Sequence, residues 1–114
     1  MPAGPTTAIE ITTDAGTADE IDQQAVFHAL DEPVCRAILT AVQAEARTAR
    51  ELAEECGQSL STVYRKISLL TDAGLIEEHT RIKTRGKHAS QYVCAFEEIA
   101  VSVTADGVLL RVSR

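Results

Sequence analysis

The stretch SLSTVYRKISLLTDAGLI, Ser59 to Ile76, gathers side chains suited to recognition rather than to making or breaking bonds. Ser59, Ser61, Thr62 and Tyr64 carry hydroxyls that donate and accept hydrogen bonds. Arg65 and Lys66 add charged donors, Arg65 in a planar fork. Val63, Ile67 and Leu70 recur at i, i+4 and i+7, so on a helix they share one side and leave Ser61, Thr62, Tyr64, Arg65 and Ser68 on the other. A second polar set follows, in which Arg81, Lys83, Arg85, Lys87 and His88 surround Gly86. Both sets suit a partner that is anionic and rich in hydrogen-bonding groups. No nucleophile–base–orienter set, Gly-rich phosphate loop or paired acid site is present, so no enzyme activity is expected.

Charge is distributed unevenly along the chain. Its 114 residues suffice for one domain with one modest core, and they carry a formal net charge of -6. Residues 1–46 hold eight acids (Glu10, Asp14, Asp19, Glu20, Asp22, Asp31, Glu32 and Glu45) against Arg36 alone. Residues 60–88 hold Arg65, Lys66, Arg81, Lys83, Arg85 and Lys87 against Asp72, Glu77 and Glu78. An acidic average therefore conceals a basic region. With 8 Arg but only 3 Lys, and abundant Ala, Thr, Asp and Glu, the composition resembles that of proteins from salt-loving organisms. There is no apolar run of about 18 residues to span a bilayer and no charged-then-apolar leader, so a cytoplasmic protein is expected.

These residues need elements to position them. Residues 1–20 read as an acidic, largely disordered arm, with a short strand at Ala8 to Thr12 able to join a sheet edge. A helix begins near Ile21 with Ile21, Ala25, His28 and Ala29 on one side and ends near Leu30. Asp31 is expected to cap a second helix, with Pro33 inside its first turn and Val34, Cys35, Ile38, Leu39 and Val42 as a core stripe. Thr48 caps a third, which buries Ala49, Leu52, Ala53 and Cys56 and stops at Gly57. Ser59 caps a fourth, with Leu60 and Leu69 flanking its inner face, and Gly74 ends it. The period then changes to the alternation of a hairpin around the basic turn. The last segment, IAVSVTADGVLLRV, reads as a second hairpin turning at Asp106–Gly107, which would set Val103 opposite Leu110 and Val101 opposite Val112. Its apolar face needs a cover, from the helices or from a second copy.

Helices joined by a short Gly-containing turn and followed by a hairpin make an α+β winged helix-turn-helix, of three to four helices plus a hairpin wing, over residues 21–96. An additional C-terminal β-hairpin at 97–114 is a candidate dimerisation element. Over residues 25–96 the chain also resembles the arsenic-repressor-like (ArsR-like) winged-helix transcription regulators of archaea and bacteria. The resemblance is carried by ALDEPVCRAIL, by TARELAEECGQSLSTVYRKISLLTDAGLI and by the basic tip before QYVCAF. Together with the composition, it points to a halophilic archaeon. The family's close of the recognition helix is similar to LLTDAGLI here.

Such a layout places the helix 59–73 in a major groove about 12 Å wide, with Ser61, Thr62, Tyr64, Arg65 and Ser68 facing the bases or phosphates. Arg65 is the expected base reader, because its fork matches guanine; Ser59, Ser61 and the helix N-terminal amides suit phosphate. Lys66 is included among the DNA-facing cations. The wing residues Arg81, Lys83, Arg85, Gly86, Lys87 and His88 suit the sugar-phosphate backbone or minor groove, and Arg47 and Arg50 could reach phosphate on the other side. The expectation is a homodimeric, sequence-specific regulator of transcription bound to double-stranded DNA, its dimer surface formed by the N-terminal helix and the C-terminal hairpin.

Two alternatives stay open on the sequence. One is a winged helix that holds only protein, since a charged helix face is often merely solvated. The other is a thiol- or metal-responsive DNA-binding sensor. Metal sensors resembling this chain place paired cysteines in the third helix, where ELAEE stands here. Cys35 and Cys56 lie on apolar stripes, Cys94 shares a strand face with Tyr92 and Phe96, and His28, His79 and His88 lack ligand spacing on one element. No disulfide, metal or other cofactor is therefore expected.

Overall fold

The computed structural model describes the backbone of residues 6–11, 22–82 and 88–113, and side chains over 22–80 and 90–113. Asp22 starts the helical part by accepting from the amides of Gln24 and Ala25 at 2.9 and 3.2 Å, and α1 runs Gln23–Asp31. Its inner face is Val26 and Ala29, both fully buried. His28, expected on that side, is exposed. The inner pair is set by i, i+3 spacing from Val26, a residue that the pattern through His28 passes over.

Pro33 opens α2, Pro33–Ala44. Proline disfavours helical backbone at the residue before it, so Glu32 takes φ -88° and ψ 119° and separates the two helices. Asp31 is therefore the last residue of α1 rather than the cap of α2, and Glu32 fills the cap position without a side-chain hydrogen bond to the helix amides. Arg36 closes the corner, its Nη1 donating to Leu30 O at 2.8 Å. Cys35, Ile38, Leu39 and Val42 form the buried stripe.

α3, Ala49–Cys56, begins with a reciprocal cap: Glu51 N donates to Thr48 Oγ1 at 3.1 Å, and Thr48 N donates to Glu51 Oε1 at 2.9 Å. It ends on Gly57 at φ 63° and ψ 37°, the left-handed backbone that glycine adopts without a Cβ clash. Only Gly57, Gln58 and Ser59 separate it from α4, Leu60–Asp72. α4 buries Val63, Ile67 and Leu70, and after Gly74 at φ 76° the chain drops back into the core through Leu75 and Ile76. Leu75 N donates to Leu70 O at 3.0 Å, satisfying a carbonyl of the last helical turn.

Two sheets complete the described residues. β2, Ile76–Ile82, and β3, His88–Cys94, pair antiparallel from Ile76↔Cys94 to Ile82↔His88. The link between α2 and α3 adds a rung to β3, because Arg47 and Tyr92 exchange backbone hydrogen bonds of 3.1 and 2.7 Å. The second sheet has the order β1–β5–β4. Here β1 is Thr6–Ile11, parallel to β5, Gly107–Ser113, and β4 is Glu98–Thr104, antiparallel to it. A strand anticipated at Ala8 to Thr12 is thus found at Thr6–Ile11, and over those residues the arm is sheet.

The C-terminal hairpin turns two residues away from the expected register. Thr104 pairs with Gly107, so Ala105–Asp106 make the turn, with Val103 opposite Val108, Val101 opposite Leu110 and Ile99 opposite Val112. Gly107 stands just after the turn at φ 135°, and Asp106 N donates to Thr104 Oγ1 at 3.2 Å. Glycine is favoured at the fourth residue of a turn as well as within it, and here that position wins. A shift of two residues preserves the side-chain alternation, so the apolar face survives the change. Leu110 and Val112 are fully buried and join the one core formed with the four helices. The α3–turn–α4 unit followed by the β2–β3 wing is a winged helix-turn-helix.

Candidate nucleic-acid interface

Burial of Val63, Ile67 and Leu70 turns the opposite side of α4 outward. Ser61, Arg65 and Ser68 are exposed, Tyr64 is 51% exposed, and Thr62 is half-buried. At the helix start Ser59 Oγ accepts from Thr62 N at 3.2 Å and donates to Thr62 Oγ1 at 2.9 Å, while Ser61 Oγ lies 3.3 Å away. Ser59 is therefore engaged as the cap, and Ser61 is the hydroxyl turned to solvent. Leu60, expected to flank the inner face, is 40% exposed at the first helical position. With Arg50, Ala53, Glu54, Gly57 and Gln58 it lines an open hollow of about 490 Å³ between α3 and α4. Gln58 and Leu60 thus join the outward face although the sequence pattern assigned them no such place; the i, i+3 step from Leu60 to Val63 pointed inward.

The cations divide into two groups. Arg65 and Arg50 are exposed and pair with no carboxylate among the described residues. Arg47 is 18% exposed and lies between two acids, its Nη1 on Glu45 and its Nε 3.0 Å from Glu55. Lys66 is also 18% exposed, with Nζ donating to Glu32 Oε2 at 3.2 Å. Arg47 and Lys66, expected among the partner-facing cations, therefore face the protein's own carboxylates. The reason is positional: Arg47 is fixed by its rung with Tyr92, and Lys66 follows the inner side of α4 toward the α1–α2 corner.

The wing connects to α4 through its base. Tyr92 is buried opposite Glu78. Burial raises its phenol pKa above the ordinary value, and the nearby Glu78 and Tyr64 add to the effect. Arg81 and His88 occupy the outer rungs of β2 and β3, at Arg81↔Ala89 and Ile82↔His88. Lys83, Arg85, Gly86 and Lys87 lie outside the described residues, as do the side chains of Arg81 and His88. On β2, His79 Nε2 sits 3.2 Å from Glu77 Oε2.

The three thiols are free and separately placed. Burial raises the pKa of each above the ordinary thiol value of 9.0; at Cys35, Lys66 partly offsets this, and at Cys56, Glu55 reinforces it. Cys94 Sγ donates to Phe96 O at 3.2 Å. A group whose folded pKa is raised contributes stability that is present below its unfolded pKa and lost as pH rises through the folded one. Tyr92 acts in the same direction at higher pH. The midpoint of urea unfolding is expected to be insensitive to these groups at neutral pH and to fall above about pH 9. A midpoint that rose there would contradict burial of neutral thiols.

Among the described residues no cluster of three or more His, Cys, Asp or Glu could hold a metal ion, and no helix is long and apolar enough to cross a membrane. Residues 30–79 match a family profile described as a helix-turn-helix domain. No curated protein matches the sequence. Among solved structures the chain is similar to a homodimeric winged helix-turn-helix DNA-binding domain from Mycobacterium bovis, described as a possible ArsR-family transcriptional regulator. The identity is 21%, the TM-score 0.55, and the match covers 75% of this chain and 78% of that one. At that identity the similarity is one of fold.

Proposed function

We propose that the chain is a sequence-specific DNA-binding regulator of transcription, cytoplasmic and active as a homodimer, with α4 in the major groove and the wing, residues 81–88, along the backbone or in the minor groove. The observation that carries this reading is the division of α4: three apolar residues hold it to the core, while Ser61, Tyr64, Arg65 and Ser68 stand outward. Intramolecular neutralisation of Arg47 and Lys66 sharpens the reading, since it leaves Arg65 as the cation on that face of α4 that is exposed and unpaired among the described residues. The M. bovis domain of like fold, described as homodimeric and DNA-binding, supports it further.

The test is selection from fragmented genomic DNA followed by affinity measurement at several salt concentrations. The expected result is a recurring, roughly two-fold symmetric motif with half-site centres about 34 Å apart, bound at least ~10³-fold more tightly than unrelated fragments. Absence of binding to any duplex even at low salt would favour a protein-holding role. The salt series matters because the acidic composition fits a salt-rich setting of the halophilic archaeal kind, where counterion release contributes little.

A further inference from the structure

We propose that a second copy of this chain docks along the free edge of β4, joining the two β1–β5–β4 sheets into one of six strands; this deepens the reading of the protein as a dimer and rests on it. Among the described residues β4 ends its sheet, so every second backbone N–H and C=O on its outer side points away from β5. Natural edge strands are usually blunted by Pro, Lys or a bulge. β4, EIAVSVT, has none of these devices, and its one charge, Glu98, lies at its end. The same strand carries two conspicuous exposed apolar residues, Val101 at 47% and Val103 at 76%.

The strand is complementary to itself about a two-fold axis. An antiparallel pairing centred on Val101 sets Val101 opposite Val101 of the second copy, Ile99 opposite Val103, Ala100 opposite Ser102 and Glu98 opposite Thr104. All seven residues are paired, apolar with apolar on one face, and no like charges oppose each other. Burial along β4 matches this arrangement. The Ile99 end of the apolar face is half-covered by the core, whereas the Val103 end is open. The two-fold axis exchanges ends, so Val103 of each copy comes to lie beside Ile99 of the other. Next to Ile99 a groove of about 390 Å³ opens between α2 and the start of β4, with Leu30, Leu39 and Phe96 among its walls. An exposed apolar knob and a groove of mixed apolar and polar lining are thereby brought together twice.

Full-length protein with Val101→Cys or Val103→Cys, oxidised mildly and resolved by non-reducing electrophoresis, tests the register, with sedimentation measuring assembly of the unaltered chain. Two Val101→Cys thiols face each other within disulfide reach, whereas two Val103→Cys thiols lie about 14 Å apart along the paired strands. Covalent dimer from Val101→Cys and little from Val103→Cys is expected. In parallel, Val101→Asp, which opposes two carboxylates, should weaken the dimer at least about tenfold without loss of helical circular dichroism. A dimer in which the two Cys variants cross-link equally, or in which Val101→Asp leaves assembly unchanged, would place the interface elsewhere and overturn the proposal. A monomer that still binds its DNA motif would overturn it while leaving DNA recognition standing; loss of DNA binding by a Val101→Cys dimer of the expected register would do the reverse.

Discussion

Replacing Leu70 with alanine is expected to lower the stability of the domain by about 2–5 kcal/mol. Leu70 is fully buried in the last turns of α4, in the core shared with α1, α2 and Leu75. Alanine would lose the transfer free energy of the removed carbons and leave a void that close-packed neighbours fill only in part. Domains of this size have roughly 5–15 kcal/mol in all, so one substitution removes a large share. Thermal unfolding by circular dichroism should show a midpoint at least ~5 °C lower. A change within 1 °C would mean that α4 does not pack on this side. The prediction also bears on recognition, because the residues that hold α4 to the body determine the direction in which Arg65 projects.

Much of this arrangement is readable from residue order because its causes are local. Thr48 with Glu51, Ser59 before Leu60 and Gly57 after Cys56 mark helix ends by hydrogen bonds and backbone freedom that operate within four residues. The stripes of α2 and α4 follow from the helical period alone. Where the cause is tertiary, the order misleads or is silent. Asp31 is a different case, since the local effect of Pro33 on Glu32, the residue before it, moves the cap one position on. Asp106–Gly107 looks like the turn, yet pairing selects Ala105–Asp106, one residue earlier on each side. The parallel pairing of β1 with β5 joins opposite ends of the chain, and no local pattern announces it.

The same division runs through the candidate interface. The outer row of α4 follows from periodicity, but whether a cation on it is available depends on acids distant in sequence. Glu32 stands 34 positions before Lys66, and their ion pair could not be read from spacing. Arg47 is engaged by Glu45 and Glu55 and by its backbone rung with Tyr92. Distribution of charge along the chain marks the basic region, while folding sets Lys66 against Glu32 and leaves Arg65 unpaired among the described residues.

Arg65→Ala is expected to reduce affinity for the preferred DNA sequence by about 5- to 150-fold, the equivalent of ~1–3 kcal/mol, with a much smaller change on unrelated DNA. Arg65 is exposed on α4, unpaired among the described residues, and about half a turn from the inward Val63 and Ile67. A guanidinium reading guanine loses two directed hydrogen bonds on truncation, and their loss matters only where that base is present. Lys87→Ala, in the wing sequence, serves as the contrast: a phosphate contact should weaken all sequences alike and reduce the salt dependence by about one counterion. Fluorescence anisotropy on matched specific and scrambled duplexes, at several salt concentrations, separates the two. If Arg65→Ala weakened both duplexes equally and lowered the salt slope, Arg65 would be a phosphate clamp. Base reading would then fall to Ser61, Tyr64 and Ser68, whose uncharged donors can discriminate sequence but contribute little to the salt dependence.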